Sequence, residues 1–267
     1  MTKLSISQAW EETSAFIGNE TRLLVPLALA LLFLPPVAAS LAMPNVKPEE
    51  MGQSGPVLLV IFIQVVITAV GFIAIARLAL GRREQIGESI GHAARRMPAF
   101  LGTWLLVIFP LSFLIGVASA MAKVLVDSGN QAISIVGSLL TILLLVILLL
   151  ALVRNILSLA IASVEGGGPI QIVKRGFALT KGQVLRLLAA FLLFVMAGLV
   201  SVYAVTIVVG SLVSLLLGKP EPWTVSALLI AIAVSAVQAV WSVITAVFFA
   251  RLYAQRAGDV GAPSSAT

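Results

Sequence analysis

Residues 142–150 read ILLLVILLL, nine side chains without a polar atom. In hydrocarbon no water is available to satisfy backbone N–H and C=O groups, so a run of this kind must bond to itself as a helix. Outward from it the apolar character continues to Gln131 on one side and Val164 on the other. That exceeds the about 20 residues needed to cross about 30 Å of hydrocarbon. Five further stretches share it: 22–43, 56–80, 98–126, 184–217 and 223–253. The chain is therefore expected to be an all-α integral membrane protein with six transmembrane helices.

Composition points the same way. Of the 267 residues, 60% are apolar and 10% are charged, where a soluble domain carries roughly a quarter charged. A water-soluble all-α fold is the class this excludes. The net charge is +6, but the basic residues are spread over the ends of the apolar stretches. No Lys/Arg-rich arm is present, so anionic lipid headgroups are the expected partner and nucleic acid is not. The chain has no cysteine, which removes disulfides, thiolate nucleophiles and cysteine-ligated metals.

Orientation follows from Lys and Arg. One side of the membrane would hold Lys3, Arg22, Arg77, Arg82, Arg83, Arg95, Arg96, Arg154, Lys174, Arg175, Lys181, Arg186, Arg251 and Arg256. The other would hold only Lys47, Lys123 and Lys219. The positive side is cytoplasmic, so both termini are expected inside. Glu11, Glu12 and Glu20 precede the first apolar stretch, unlike the short basic leader of a cleaved signal peptide. That stretch is expected to stay in the mature chain.

Three segments resemble one another at a spacing of about 80 residues, each followed by two apolar stretches. In the first, Ile6, Ala9, Trp10, Thr13 and Ile17 share a helical face, and Ser5 and Gln8 have the spacing of a capping box. In the second, Ile86, Ile90, Ala93 and Met97 form the stripe, flanked by Arg82, Arg83, Glu84, Glu88, Arg95 and Arg96. In the third, Pro169 suits a first helical turn. Ile172, Val173 and Phe177 face one way there, Lys174 and Arg175 can snorkel, and Gly182 suits a C-cap. Short helices of this kind lie in the membrane interface. The expected architecture is one transmembrane domain over 1–255, with repeat units of about 1–80, 81–163 and 164–255, and a flexible tail over 256–267.

Candidate chemistry is sparse. All eleven acidic residues lie outside the long apolar stretches, leaving no intramembrane carboxylate for a proton relay or ion site. His92 is the only histidine and reads as a solvated surface residue. Gly166-Gly167-Gly168-Pro169 lacks the Lys-Ser/Thr of a phosphate loop and reads as a turn. Arg154 lies between apolar runs; an arginine at a span centre costs about 2.5–3.5 kcal/mol, which nine residues contributing about 0.3–0.6 kcal/mol each offset. It is expected near the cytoplasmic headgroups, with Glu165 on the same helical face. Arg95, Arg96, Lys174 and Arg175 complete the expected lipid-headgroup or structural polar contacts. Gln64, Asn155 and Gln238 are expected to bond between helices, or alternatively to line a polar cavity. Gly116/Ala120 and Gly210/Ser214 would permit close helix approach, and Pro110 is expected to kink the third stretch. No catalytic constellation, cofactor or metal site is expected.

Val164-Glu165-Gly166, then Ile172 through Lys174-Arg175-Gly176-Phe177, then Thr180-Lys181-Gly182, taken with the Ile6 to Trp10 and Asn19 opening, resemble the membrane domain attached to some bacterial glycerophosphoryl diester phosphodiesterases. The resemblance covers about residues 4–256. Where that family usually has Ser after the Lys-Arg pair, this chain has Gly176. The enzymes of that family carry a separate soluble catalytic domain, which the fourteen residues after Tyr253 are expected not to supply. The resemblance implies a six-span module in the bacterial inner membrane, non-enzymatic, that binds lipid or a protein partner. The alternative is a transporter or permease for a small or amphipathic substrate.

Overall fold

The computed structural model describes residues 5–43, 55–81, 85–127 and 131–257. Lys3, Lys47, Arg82, Arg83, Glu84 and the tail from 258 onward, all named above, lie outside the described residues.

The described chain is helical, with no strand. Helix α1 (Ile6–Asn19) leads into α2 (Thr21–Ala28), a π-helical turn (Leu29–Phe33) and α3 (Leu34–Ala42). Then come α4 (Gly55–Ala79), α5 (Ile86–Asp127), α6 (Gln131–Asn155), α7 (Ser158–Val164), α8 (Pro169–Thr180), α9 (Val184–Leu217) and α10 (Val225–Ala257). Among the described residues, six helical stretches are long and apolar enough to cross a membrane: Thr21–Ala42, Gly55–Ala79, Ile86–Met121, Ile135–Val164, Val184–Leu217 and Val225–Ala257.

Three local features depart from the sequence reading. The first stretch is not one α-helix. Pro35 and Pro36 have no N–H to donate, and Leu34 N–H reaches back to Leu29 O, five residues rather than four, which makes the π turn. Gly71 of α4 faces this turn: a Cβ there would lie 2.9 Å from Leu31 Cβ. The fourth stretch is broken at Ile156 and Leu157 into α6 and α7, so Arg154 and Glu165 do not share a helical face. The second amphipathic segment continues without interruption into α5, through Pro98 and Pro110, whereas α1 and α8 are separate helices.

Small residues act at other places than their spacing suggested. A Cβ at Gly116 or Gly210 would meet nothing within 4 Å. The close approaches are Gly71 on Leu31, Gly102 on Pro169, Gly176 on the Arg154 carbonyl and Gly198 on Trp241.

Helix α10 is the axis of the fold, packing on α9, α4, α1, α7 and the π turn. Its Phe248 stacks on Phe194 of α9 with ring centroids 4.3 Å apart, and Trp10 of α1 meets the same Phe194 edge-on at 6.2 Å. The buried core is concentrated at one end of the bundle, in Ile73–Ala76 of α4, Val153 to Ser163 across the α6–α7 break, and Ala246–Ala250 of α10. At the other end α5, α6 and α9 expose large apolar side chains, among them Phe109, Phe113, Leu139, Leu143, Ile207 and Leu215.

Candidate functional site

The end that holds the core is also the end where polar groups gather. Four connections converge on it: the start of α1, the α4–α5 turn, the α6–α9 region and the close of α10. Its organising element is arginine, used to satisfy carbonyl groups that helix ends leave without partners. Arg256 of α10 is 4% exposed. It donates from Nε to Leu179 O at 3.0 Å and from a terminal nitrogen to Lys181 O at 3.3 Å, closing the C-terminus of α8. Gly182, at φ +77°, then turns the chain into α9 in the left-handed region that glycine enters without strain. Arg77, at the end of α4 and 9% exposed, donates to Ser163 O at 2.8 Å and so closes α7. Arg96 of α5 reaches Gly167 O at 3.4 Å. A cation on a helix C-terminus also complements the negative end of the helix dipole.

Glu165 follows α7. Its Oε1 accepts from Arg175 Nε at 3.1 Å and from Tyr253 O–H at 2.6 Å, joining α8 and α10 through one carboxylate. Arg154 lies over the Phe177 ring at 4.9 Å, a cation–π contact, in place of the expected company of Glu165. At the N-terminus, Ser5 caps α1 through Gln8 N–H at 3.2 Å. The reciprocal half of the capping box is absent, because Gln8 Nε2 donates to Glu12 and Ser5 N–H donates to Gln255 Oε1. Gln255 Nε2 returns a bond to Ser5 O, so α1 is fastened to the end of α10.

Beside this network lies a cavity of about 380 Å³ lined by Arg77, Gly87, Glu88, Gly91, His92 and Arg95. Gly87 and Gly91, one helical turn apart on α5, leave its wall open, since a Cβ at either would meet nothing within 4 Å. Two arginines and a histidine line it beside a single glutamate, an excess of basic groups suited to an anion. Arg95 was expected from the sequence; Arg77 and His92 were not. Arg77 had been read as a marker of orientation, and His92, half-buried here, as solvated. The alignment of Gly87 and Gly91 with Arg95 on one face of α5 marks that wall in the sequence, whereas Arg77, on α4, carries no such local signal.

The remaining expected residues do not converge. Lys174 is exposed. Gln64 is half-buried on α4, Gln238 is exposed on α10, and Asn155 is buried at the α6–α7 break. Neither the basic cavity nor the larger apolar groove between α1, α2 and α10 is lined by any of the three. Asn155 Nδ2 and Ser158 Oγ, on either side of the break, are buried without a hydrogen-bond partner among the described residues. No group of three or more His, Cys, Asp or Glu that could hold a metal occurs among the described residues.

None of the curated proteins matches the chain, and none of the solved structures does. No link to the phosphodiesterase membrane domains emerges from the comparison with protein families. That comparison does match residues 5–256 to the family described as Domain of unknown function (DUF7847), and the chain belongs to that family.

Proposed function

We propose that this protein is a non-enzymatic, six-span protein of the bacterial inner membrane, with both termini in the cytoplasm, whose basic end binds anionic lipid headgroups. The observation that carries the reading is the cavity of Arg77, His92 and Arg95, at the end where fourteen of the seventeen basic residues are assigned by sequence. Anionic lipid on the cytoplasmic leaflet attracts such clusters at about 1 kcal/mol per basic residue. The far end supports insertion: Phe113 and Leu215 are 63% and 84% exposed, which suits hydrocarbon better than water. Transport draws less support, because the three polar side chains that would line a midplane path lie apart.

Two finer readings belong with this proposal. The order α1 with two apolar stretches, α5 with its amphipathic opening, and α8 with two more favours a threefold unit. The likeness of the third unit to phosphodiesterase membrane domains favours a module that serves a lipid or protein partner.

The test is native mass spectrometry of the full chain in neutral detergent, with equimolar phosphatidylglycerol and phosphatidylcholine. The wild type should retain phosphatidylglycerol in preference, and Arg95→Gln should reduce that preference. Arg95 is exposed, so its loss leaves the carbonyl-closing arginines in place. Equal retention of the two lipids by the wild type would overturn the proposal.

A further inference from the structure

A second concavity lies between α10 and the run from α1 to the π turn. It encloses about 730 Å³, and Trp10, Gly18, Leu29, Phe33, Ala236 and Val240 are among the residues that line it. Its walls are apolar save for the Trp10 indole N–H and the hydroxyls of Thr13, Ser14 and Thr21, which donate to Ala9 O, Glu11 O and Ile17 O three or four residues back along the chain. Those three hydroxyls are therefore satisfied without a ligand. Leu29 and Val240 are 48% and 61% exposed, so the groove opens sideways rather than being sealed in the core.

Its length is set by the helix that forms one wall. From Thr21 to Phe33 is twelve residues, about 18 Å at 1.5 Å each. One leaflet of a bilayer with about 30 Å of hydrocarbon is about 15 Å deep. The groove thus begins at the amphipathic α1 and ends near the depth that a single leaflet reaches. The π turn shapes its deep end, since Leu29 and Phe33 both belong to that turn.

About two helical turns beyond Ile244 of the groove wall, α10 carries a cation whose Nε has no hydrogen-bond partner among the described residues. Arg251 of α10 is half-buried, with its guanidinium 5.1 Å from the centroid of the Phe16 ring. Phe16 adjoins Ile17 of the groove wall. The Arg251 Nε is buried and has no hydrogen-bond partner among the described residues. Nε being buried, the terminal nitrogens of this guanidinium are the ones that can bind a phosphate oxygen, with charge-assisted hydrogen bonds.

From this juxtaposition we infer that the groove between α1, α2, the π turn and α10 holds one acyl chain of a glycerophospholipid, whose phosphate is met by Arg251. The site is separate from the Arg77–Arg95 cavity, and the inference rests on the proposal that the chain lies in a membrane. Acyl chain and phosphate are recognised together: the groove offers shape, and Arg251 offers charge.

The experiment is native mass spectrometry of the full chain after stepwise delipidation, counting retained phospholipid. Gly18→Leu and Ala236→Phe place a side chain in the groove. Gly18 tolerates this, because its Cβ would meet nothing within 4 Å. Each variant should lower retention of the last phospholipid roughly tenfold, one decade in the binding constant. Arg251→Gln should lower it as well, while Arg95→Gln should not. As a second measurement, one equivalent of a phospholipid with brominated acyl chains should quench the tryptophan emission of the wild type, and Trp10→Phe should lose that component. Groove-filling variants that retain the lipid like the wild type would overturn the inference, even where Arg95→Gln still lowers the preference for phosphatidylglycerol. A groove-filling variant that instead changed the oligomeric state would also overturn it, assigning the groove to a second copy of the chain.

Discussion

The carbonyl oxygen of Arg154 presses closely on α8: a Cβ on Gly176 would stand 3.1 Å from it. Gly176 is buried within α8, and Arg154 belongs to the last turn of α6, just before the break that makes α7. Glycine in a helix interior costs about 1 kcal/mol relative to alanine, so its presence here answers to packing. The same proximity carries the Phe177 ring under the Arg154 guanidinium.

Gly176→Val should therefore destabilise the protein by about 1–3 kcal/mol, the usual result of adding methyl groups where there is no room. Gly176→Ala should stay near the wild type, because gained helix propensity offsets a small displacement of α6. Unfolding in a denaturing detergent, monitored by tryptophan fluorescence, ranks the three. A valine variant as stable as the wild type would show that α8 does not press on the break.

Glu165 joins two helices through one oxygen, and that arrangement predicts coupling. Tyr253→Phe and Glu165→Ala should each cost about 1.5–3 kcal/mol, the range for hydrogen bonds to a charged group. Together they should cost less than their sum, because the first change already removes the bond between them. A double-mutant cycle measures this, and strict additivity would mean that the bond between Tyr253 and Glu165 contributes nothing.

How far the fold could be read from the chain depends on what each property sees. Six apolar stretches are legible in residues such as 142–150, because hydrocarbon leaves a backbone no alternative to a helix. The break at Ile156 and Leu157 is not legible, since apolar runs continue on both sides of Arg154 and Asn155 and neither glycine nor proline stands there. It is seen only with the neighbouring α8, whose Gly176 comes up against it. The π turn has a local cause in Pro35 and Pro36, and a reading of backbone donors rather than hydropathy would have raised it. Charge was legible as a lopsided count and not as geometry. Arg77 and Arg256 mark a side of the membrane in the sequence, but the carbonyl groups they reach lie 86 and 77 residues away along the chain. Of the residues named for the site, Arg95 lines the basic cavity, while Arg175 and Glu165 serve to bind helices together. Gln64, Asn155 and Gln238 share a polar character that says nothing about which way each helix turns them.

Arg256 predicts a local effect. Arg256→Met keeps the side-chain volume roughly constant and leaves Leu179 O and Lys181 O without their donor. A buried acceptor left unsatisfied costs about 1–3 kcal/mol. Hydrogen exchange should rise in the last turn of α8 and across Gly182, and change little in the α4–α5 turn. Arg256→Lys should recover only part of the protection, because a single ammonium group lacks the fork that spans two carbonyls. Exchange rates unchanged in α8 would mean that its C-terminus holds without Arg256.

Orientation can be tested with chemistry that the chain itself makes clean. The sequence contains no cysteine, so a single introduced thiol is an unambiguous reporter. Lys219 and Ala254 are both exposed and lie at opposite ends of the last two apolar helices. If the basic end is cytoplasmic, as the charge bias requires, Lys219→Cys should react with a membrane-impermeant maleimide in intact spheroplasts. Ala254→Cys should react only after permeabilisation. The reverse pattern would place the arginine network outside the cell, away from the leaflet surface on which headgroup binding by Arg95 depends. Labelling of both thiols in intact spheroplasts would contradict an odd number of crossings between them and, with it, the six-span topology.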